Sequence, residues 1–97
     1  MMVLVTYDVE TQNRAGQKRL RRVAKMCEDY GQRVQNSVFE CVLEPGKFAE
    51  LKFRLIETID QEKDSLRFYF LGSKWVGKVE HVGAKPSINP DADCLVV

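Results

Sequence analysis

Ninety-seven residues, 44% hydrophobic and 30% charged, are the length and composition of one small globular domain with a single core. Fifteen basic residues nearly balance fourteen acidic ones, so no global charge announces a nucleic-acid partner. No apolar run approaches the roughly 20 residues of a membrane span, and no basic segment precedes the N-terminal apolar run, which argues against a signal peptide.

Met2 to Asp8, Met-Val-Leu-Val-Thr-Tyr-Asp, reads as a first strand buried on both faces. Alternation puts Val3, Val5 and Tyr7 on one face and Leu4, Thr6 and Asp8 on the other. Asp8 then stands where a central strand leaves the core, next to a polar loop that starts near Glu10. A helix is expected from about Arg14 to Tyr30, closed by Gly31. Leu20, Val23, Ala24, Cys27 and Tyr30 recur at helical spacing as its core face. Arg14, Lys18, Arg19, Arg21, Arg22 and Lys25 lie between Glu10 and Lys25 with only that one acid. They concentrate positive field on this helix.

Arg33 to Leu43 reads as one second strand, with polar and apolar residues mixed on both faces. Glu44-Pro45-Gly46 breaks it. A second helix is expected from about Lys47 to Glu62, with Phe48, Leu51, Leu55, Ile56 and Ile59 inward and Glu50 paired to Arg54 outside. Ser65 to Leu71 is a third strand and Trp75 to Val82 a fourth. Cys94 to Val97 is a short terminal strand. Cys27, Cys41 and Cys94 lack metal-site spacing and read as reduced thiols of a cytoplasmic protein. His81 is the one histidine, so no histidine cluster or histidine-based triad can form; a place on a strand or on the surface is expected for it. Residues 1–97 are expected to form one α+β domain. Its fold is a ferredoxin-like βαββαβ plait, an antiparallel sheet with both helices on one face, plus the terminal strand. The uncovered apolar sheet face signals a homodimer.

Three segments resemble the CRISPR-associated protein 2 family: Tyr7-Asp8-Val9, the run Arg33-Val34-Gln35-Asn36-Ser37-Val38-Phe39-Glu40, and the run from Asp64 to Leu71. Val79 to Pro86 looks like the type I-C version. The resemblance implies a ferredoxin-like homodimer with a divalent metal, Mg²⁺ or Mn²⁺, at Asp8. It implies a metal-dependent endonuclease of CRISPR adaptation acting on double-stranded DNA or on RNA. It equally implies a second role, a non-catalytic DNA-binding scaffold bridging two dimers of the larger adaptation integrase during spacer acquisition. The terminal strand would cross to the partner subunit.

Asp8 and Tyr7 are the expected catalytic residues, and Asp8 is the expected metal ligand. Magnesium accepts one or two carboxylates and keeps several waters, so a second Asp8 across a two-fold axis would complete the site. Ser37 and Phe39 would shape it. Arg14, Lys18, Arg19, Arg22 and Arg33 would contact the phosphate backbone. The competing readings are an Asp8 that merely caps its loop, a solvated basic helix face, and aromatics Phe68, Tyr69, Phe70 and Trp75 that pack rather than stack on bases.

Overall fold

The computed structural model describes residues 1–72 and 79–84. Its elements are β1 (Met2–Asp8), α1 (Arg14–Tyr30), β2 (Gln32–Gln35), β3 (Val38–Val42), α2 (Pro45–Thr58), β4 (Ser65–Leu71) and β5 (Val79–Gly83). They form one five-stranded sheet of order β2-β3-β1-β4-β5. All four pairings are antiparallel. This is the ferredoxin-like plait with β5 added at one edge.

The expected second strand is in fact a hairpin. The chain turns at Asn36 and Ser37, and Gln32 comes to face Glu40 while Arg33 faces Phe39. Asparagine and serine favour such turns by bonding nearby backbone. No glycine or proline marks the turn, so the alternation of side chains runs through it unbroken. The hairpin supplies the two strands that the plait needs between its helices.

The first helix lies where its apolar spacing puts it. Asn13 caps it by accepting from the Gly16 N–H at 2.9 Å. The Gly31 N–H closes it on the Cys27 carbonyl at 2.9 Å. Gly16 has no room for a side chain, because a Cβ would strike the Glu10 carbonyl. The second helix starts two residues earlier than expected, with Pro45 in its first turn, a position where proline lacks no needed hydrogen bond. It stops at Thr58 rather than Glu62. The Asp60 N–H is taken by the Asp64 carboxylate at 2.9 Å, and the Asp60 side chain accepts from the Glu62 N–H at 2.9 Å. Both bonds stop the helical ladder from continuing. The expected Glu50–Arg54 pair is bridged by Tyr30, whose hydroxyl donates to Glu50 at 2.9 Å and accepts from Arg54 at 2.9 Å.

The core lies between the helices and one sheet face. Val3, Val5 and Tyr7 of β1 meet Val23 and Cys27 of α1, Leu51 and Leu55 of α2, and Phe39, Leu66 and Phe68 of the flanking strands. Cys27 and Cys41 are buried free thiols. The opposite face carries Leu4, Thr6 and Asp8, with Tyr69 and Arg67 beside them on β4. The start of the expected fourth strand at Trp75, and the expected strand from Cys94 to Val97, lie outside the described residues.

Candidate functional site

Asp8 is the last residue of β1, and it is exposed. Its strand neighbours settle what surrounds it. β1 and β4 pair along their whole length, so Asp8 faces Ser65 and Thr6 faces Arg67. Thr6, Tyr7, Asp8, Ser65 and Arg67 line an open cavity of about 190 Å³. It lies at the end of the two interior strands, with Asp8 and Arg67 side chains on the sheet face away from the helices.

Tyr7 is not on that face. Its ring is buried in the core and stacks on Phe39, centroids 6.1 Å apart. Its hydroxyl donates to the Asn36 carbonyl at 3.3 Å, and burial pushes its pKa up. The two expected catalytic residues therefore project from opposite faces, as alternation along one strand requires. The Tyr7 ring anchors the strand end from the core side. Phe39 is fully buried beneath it. Ser37 contributes its carbonyl, which accepts from the Tyr7 N–H at 3.2 Å. These residues shape the site by fixing β1 from below.

Arg33 belongs to the same support. Its guanidinium lies 4.9 Å from the Phe39 ring centre. It donates to the Asn36 carbonyl and to Glu28, each at 3.0 Å. On α1, Arg14, Lys18 and Arg22 are exposed, as a phosphate-contacting stripe requires. Arg19 departs from the expectation. It turns inward to Asp64, with Nε to Oδ2 at 2.7 Å and Nη2 to Oδ1 at 3.3 Å. Its charge is compensated by a buried carboxylate, unlike those of Arg14, Lys18 and Arg22 exposed on the helix.

In the sequence Asp64 stands out only as the first residue of a family-like run, with no role of its own. It is completely buried, and its carboxylate also accepts from the backbone of Glu10 at 3.0 Å and of Asp60 at 2.9 Å. Burial alone would raise its pKa. Arg19 and the two N–H groups outweigh that and hold it below the ordinary value. One ionised side chain thus ties the loop after Asp8 to α1 and to the turn before β4. On the other side, Ala84 donates to the Asp64 carbonyl at 2.9 Å. Gly83 takes φ +118° there, and a Cβ would collide with that carbonyl. The only signal for this arrangement in the sequence was an acid directly ahead of an apolar strand, which is also an ordinary turn residue.

As a metal ligand, Asp8 has the right chemistry: a hard oxygen donor, open to water, in a cavity with room for a hydrated ion. Among the described residues, no three acids, histidines or cysteines converge as a complete ligand set. Asp8 fits a site that keeps most of its waters or borrows a second carboxylate.

Among the described residues no helix is long and apolar enough to cross a membrane. The family model described as "CRISPR associated protein Cas2" matches residues 1–79. The chain is 57% identical over 96 residues to the CRISPR-associated endoribonuclease Cas2 of Nitratidesulfovibrio vulgaris, covering 99% of this chain and 94% of that one. It is 60% identical over 89 residues to the CRISPR-associated endonuclease Cas2 of Halalkalibacterium halodurans, covering 92% and 93%. The crystal structure of Streptococcus pyogenes Cas2 aligns with a TM-score of 0.71 at 64% identity, over 77% of this chain and 90% of that one. Sequence and fold agree: the chain belongs to the CRISPR-associated Cas2 family.

Proposed function

We propose that this protein is a homodimeric, metal-dependent endonuclease that hydrolyses phosphodiester bonds of double-stranded DNA at Asp8. The observation that carries the reading is an exposed carboxylate at the end of a central strand, opening into a cavity on the face without helices. Relatives named endonuclease and endoribonuclease support the reaction class, and RNA is the alternative substrate. Asp8, with waters and Asp8 of a second copy, would hold Mg²⁺ or Mn²⁺. Two facing carboxylates would repel each other without a cation to compensate them. When bound, the metal supplies polarisation of a phosphate oxygen and a more acidic water. The chain's own residues do the rest. Tyr7, Phe39 and Arg33 fix the strand end. Asp64 fixes the loop after it. Arg14, Lys18 and Arg22 attract the phosphate backbone without reading bases. The dimer forms through the helix-free face, where Val42 is 70% exposed.

A second reading, a DNA-holding scaffold for the larger adaptation integrase, is favoured by the lack, among the described residues, of three converging acids, histidines or cysteines. Cleavage of labelled duplex DNA and single-stranded RNA by wild type and Asp8→Ala, with Mg²⁺, Mn²⁺ or chelator, separates the two. Metal-dependent cutting lost in a folded Asp8→Ala dimer is the expected result. No cutting above the variant's background in any metal would leave the scaffold. The better substrate names the nucleic acid.

A further inference from the structure

Arg67 is an interior residue of β4 that the expected site did not include. The pairing of the sheet puts it there. It faces Thr6 on β1 and His81 on β5. Asp8 is the diagonal neighbour, two positions along β1 from Thr6 and on the same face. Diagonal neighbours in an antiparallel sheet are about 7–8 Å apart at the backbone, within reach of a long side chain. Arg67 is half-buried and lines the same cavity as Asp8.

A half-buried arginine beside an exposed carboxylate is a strong anion contact. The guanidinium is always charged, and its planar fork matches two oxygens of a phosphate. Partial burial lowers its entropic and hydration costs of contact. Its cross-strand neighbour adds no competing charge. Burial first, and the positive charge of Arg67 second, hold the His81 imidazole below its ordinary pKa, so it is neutral at pH 7. Elsewhere on this face, Glu40 of β3 lies across from Leu4, further along the sheet than Asp8. The cavity therefore pairs one hard anionic donor with one half-buried cation. The guanidinium can meet one non-bridging oxygen of a phosphodiester directly, whereas the carboxylate, itself repelled by the phosphate, would act on the other only through a bound divalent cation.

We propose that Arg67 contacts a non-bridging oxygen of the scissile phosphate, beside the group held by Asp8, and so is part of the catalytic site. The inference rests on the endonuclease reading given above. It differs from a purely electrostatic pairing in which Arg67 only neutralises Asp8.

The test compares wild type, Arg67→Ala, Arg67→Lys and Asp8→Ala, each checked for folding by thermal melting. First, binding to an unlabelled-sequence 20-base-pair duplex is measured in EDTA across salt concentrations. Loss of one phosphate contact lowers the slope of log K against log salt by about one. Arg67→Ala is expected to show that drop and Arg67→Lys to restore it. Second, cleavage in saturating Mg²⁺ is expected to lose about 100-fold in kcat for Arg67→Ala, as for other removed oxyanion donors. Arg67→Lys keeps the charge without the fork and recovers only part of it. Third, Mn²⁺ affinity is titrated without nucleic acid. An unchanged salt slope with tighter Mn²⁺ binding in Arg67→Ala overturns the proposal and leaves the simple ion pair. A folded Arg67→Ala with wild-type slope and kcat also overturns it, while an inactive Asp8→Ala in the same series keeps the endonuclease reading intact. If Asp8→Ala cuts like wild type, the reading of Asp8 as the site of cleavage fails, and with it the catalytic role of Arg67 beside it. Should Arg67→Ala not fold, Arg67→Gln keeps the stem and the same three outcomes apply.

Discussion

Arg19 and Asp64 are 45 residues apart in sequence and joined by two nitrogen–oxygen contacts of 2.7 and 3.3 Å. The carboxylate is fully buried and the arginine side chain is 15% exposed. Because Asp64 also accepts from the Glu10 N–H at 3.0 Å, the pair ties the loop after Asp8 to α1. Removing one partner of a buried pair leaves an uncompensated charge or orphaned donors. That costs about 3–5 kcal/mol.

Arg19→Ala and Asp64→Ala are each expected to destabilise the fold by more than an exposed pair is worth. Urea denaturation followed by far-ultraviolet circular dichroism measures it. A loss under about 1 kcal/mol, the range of exposed pairs, would show that the pair is not buried in solution.

The same pair sets an acid limit. The folded Asp64 pKa lies below its ordinary 3.8, so the unfolded chain binds that proton more tightly than the folded one. The stabilisation is complete above the ordinary value and is lost as pH falls through the folded one. Asp64→Asn should flatten the acid side of the stability curve. Thermal melting from pH 7 down to pH 3 of both proteins checks this.

Salt dependence distinguishes the α1 residues from one another. Lys18→Ala and Arg22→Ala should each lower the slope of log K against log salt by about one, as lost phosphate contacts do. Arg19→Ala should leave that slope unchanged, provided the protein is held at a temperature where it stays folded. Equal effects from all three would mean that Arg19 swings outward to nucleic acid.

Gly83→Ala should be costly although alanine is small. Gly83 holds φ +118°, and a side chain would meet the Asp64 carbonyl. Strain of this kind costs about 1–3 kcal/mol per residue. A drop in the melting temperature that the Gly46→Ala variant, with open space around it, does not show would confirm that the left-handed conformation is required.

Burial pushes the Cys27 thiol up to about 12 and the Cys41 thiol to about 11. Neither forms an appreciable thiolate at neutral pH. Alkylation by iodoacetamide at pH 8, read by mass spectrometry of the peptides, should leave both unmodified in the native protein and modify both in urea.

Much of this was legible in the chain. The α1 boundaries, Arg14 to Tyr30, coincide with the spacing of its apolar residues, because local periodicity and packing agree there. Asp8 at a strand end followed from an apolar run that stops at a carboxylate. Three things were hidden. The turn at Asn36 and Ser37 lies inside an unbroken alternation, so a hairpin read as one strand. The inward turn of Arg19 depends on Asp64, a partner 45 residues away in the chain. The place of Arg67 next to Asp8 depends on register between β1 and β4, which no property of either strand alone determines.

The hairpin that replaced the expected strand has one more effect. β2 is the outermost strand on its side of the sheet and is exposed throughout. Val34 there is 51% exposed. A flat apolar edge would template one chain upon another without limit. Here the register shifts between Arg33 and Gln35, and a charged side chain sits at the break. A kinked, charged edge is a poor template. Growth along the hydrogen-bonding direction is therefore disfavoured on this side by the same hairpin that braces the site.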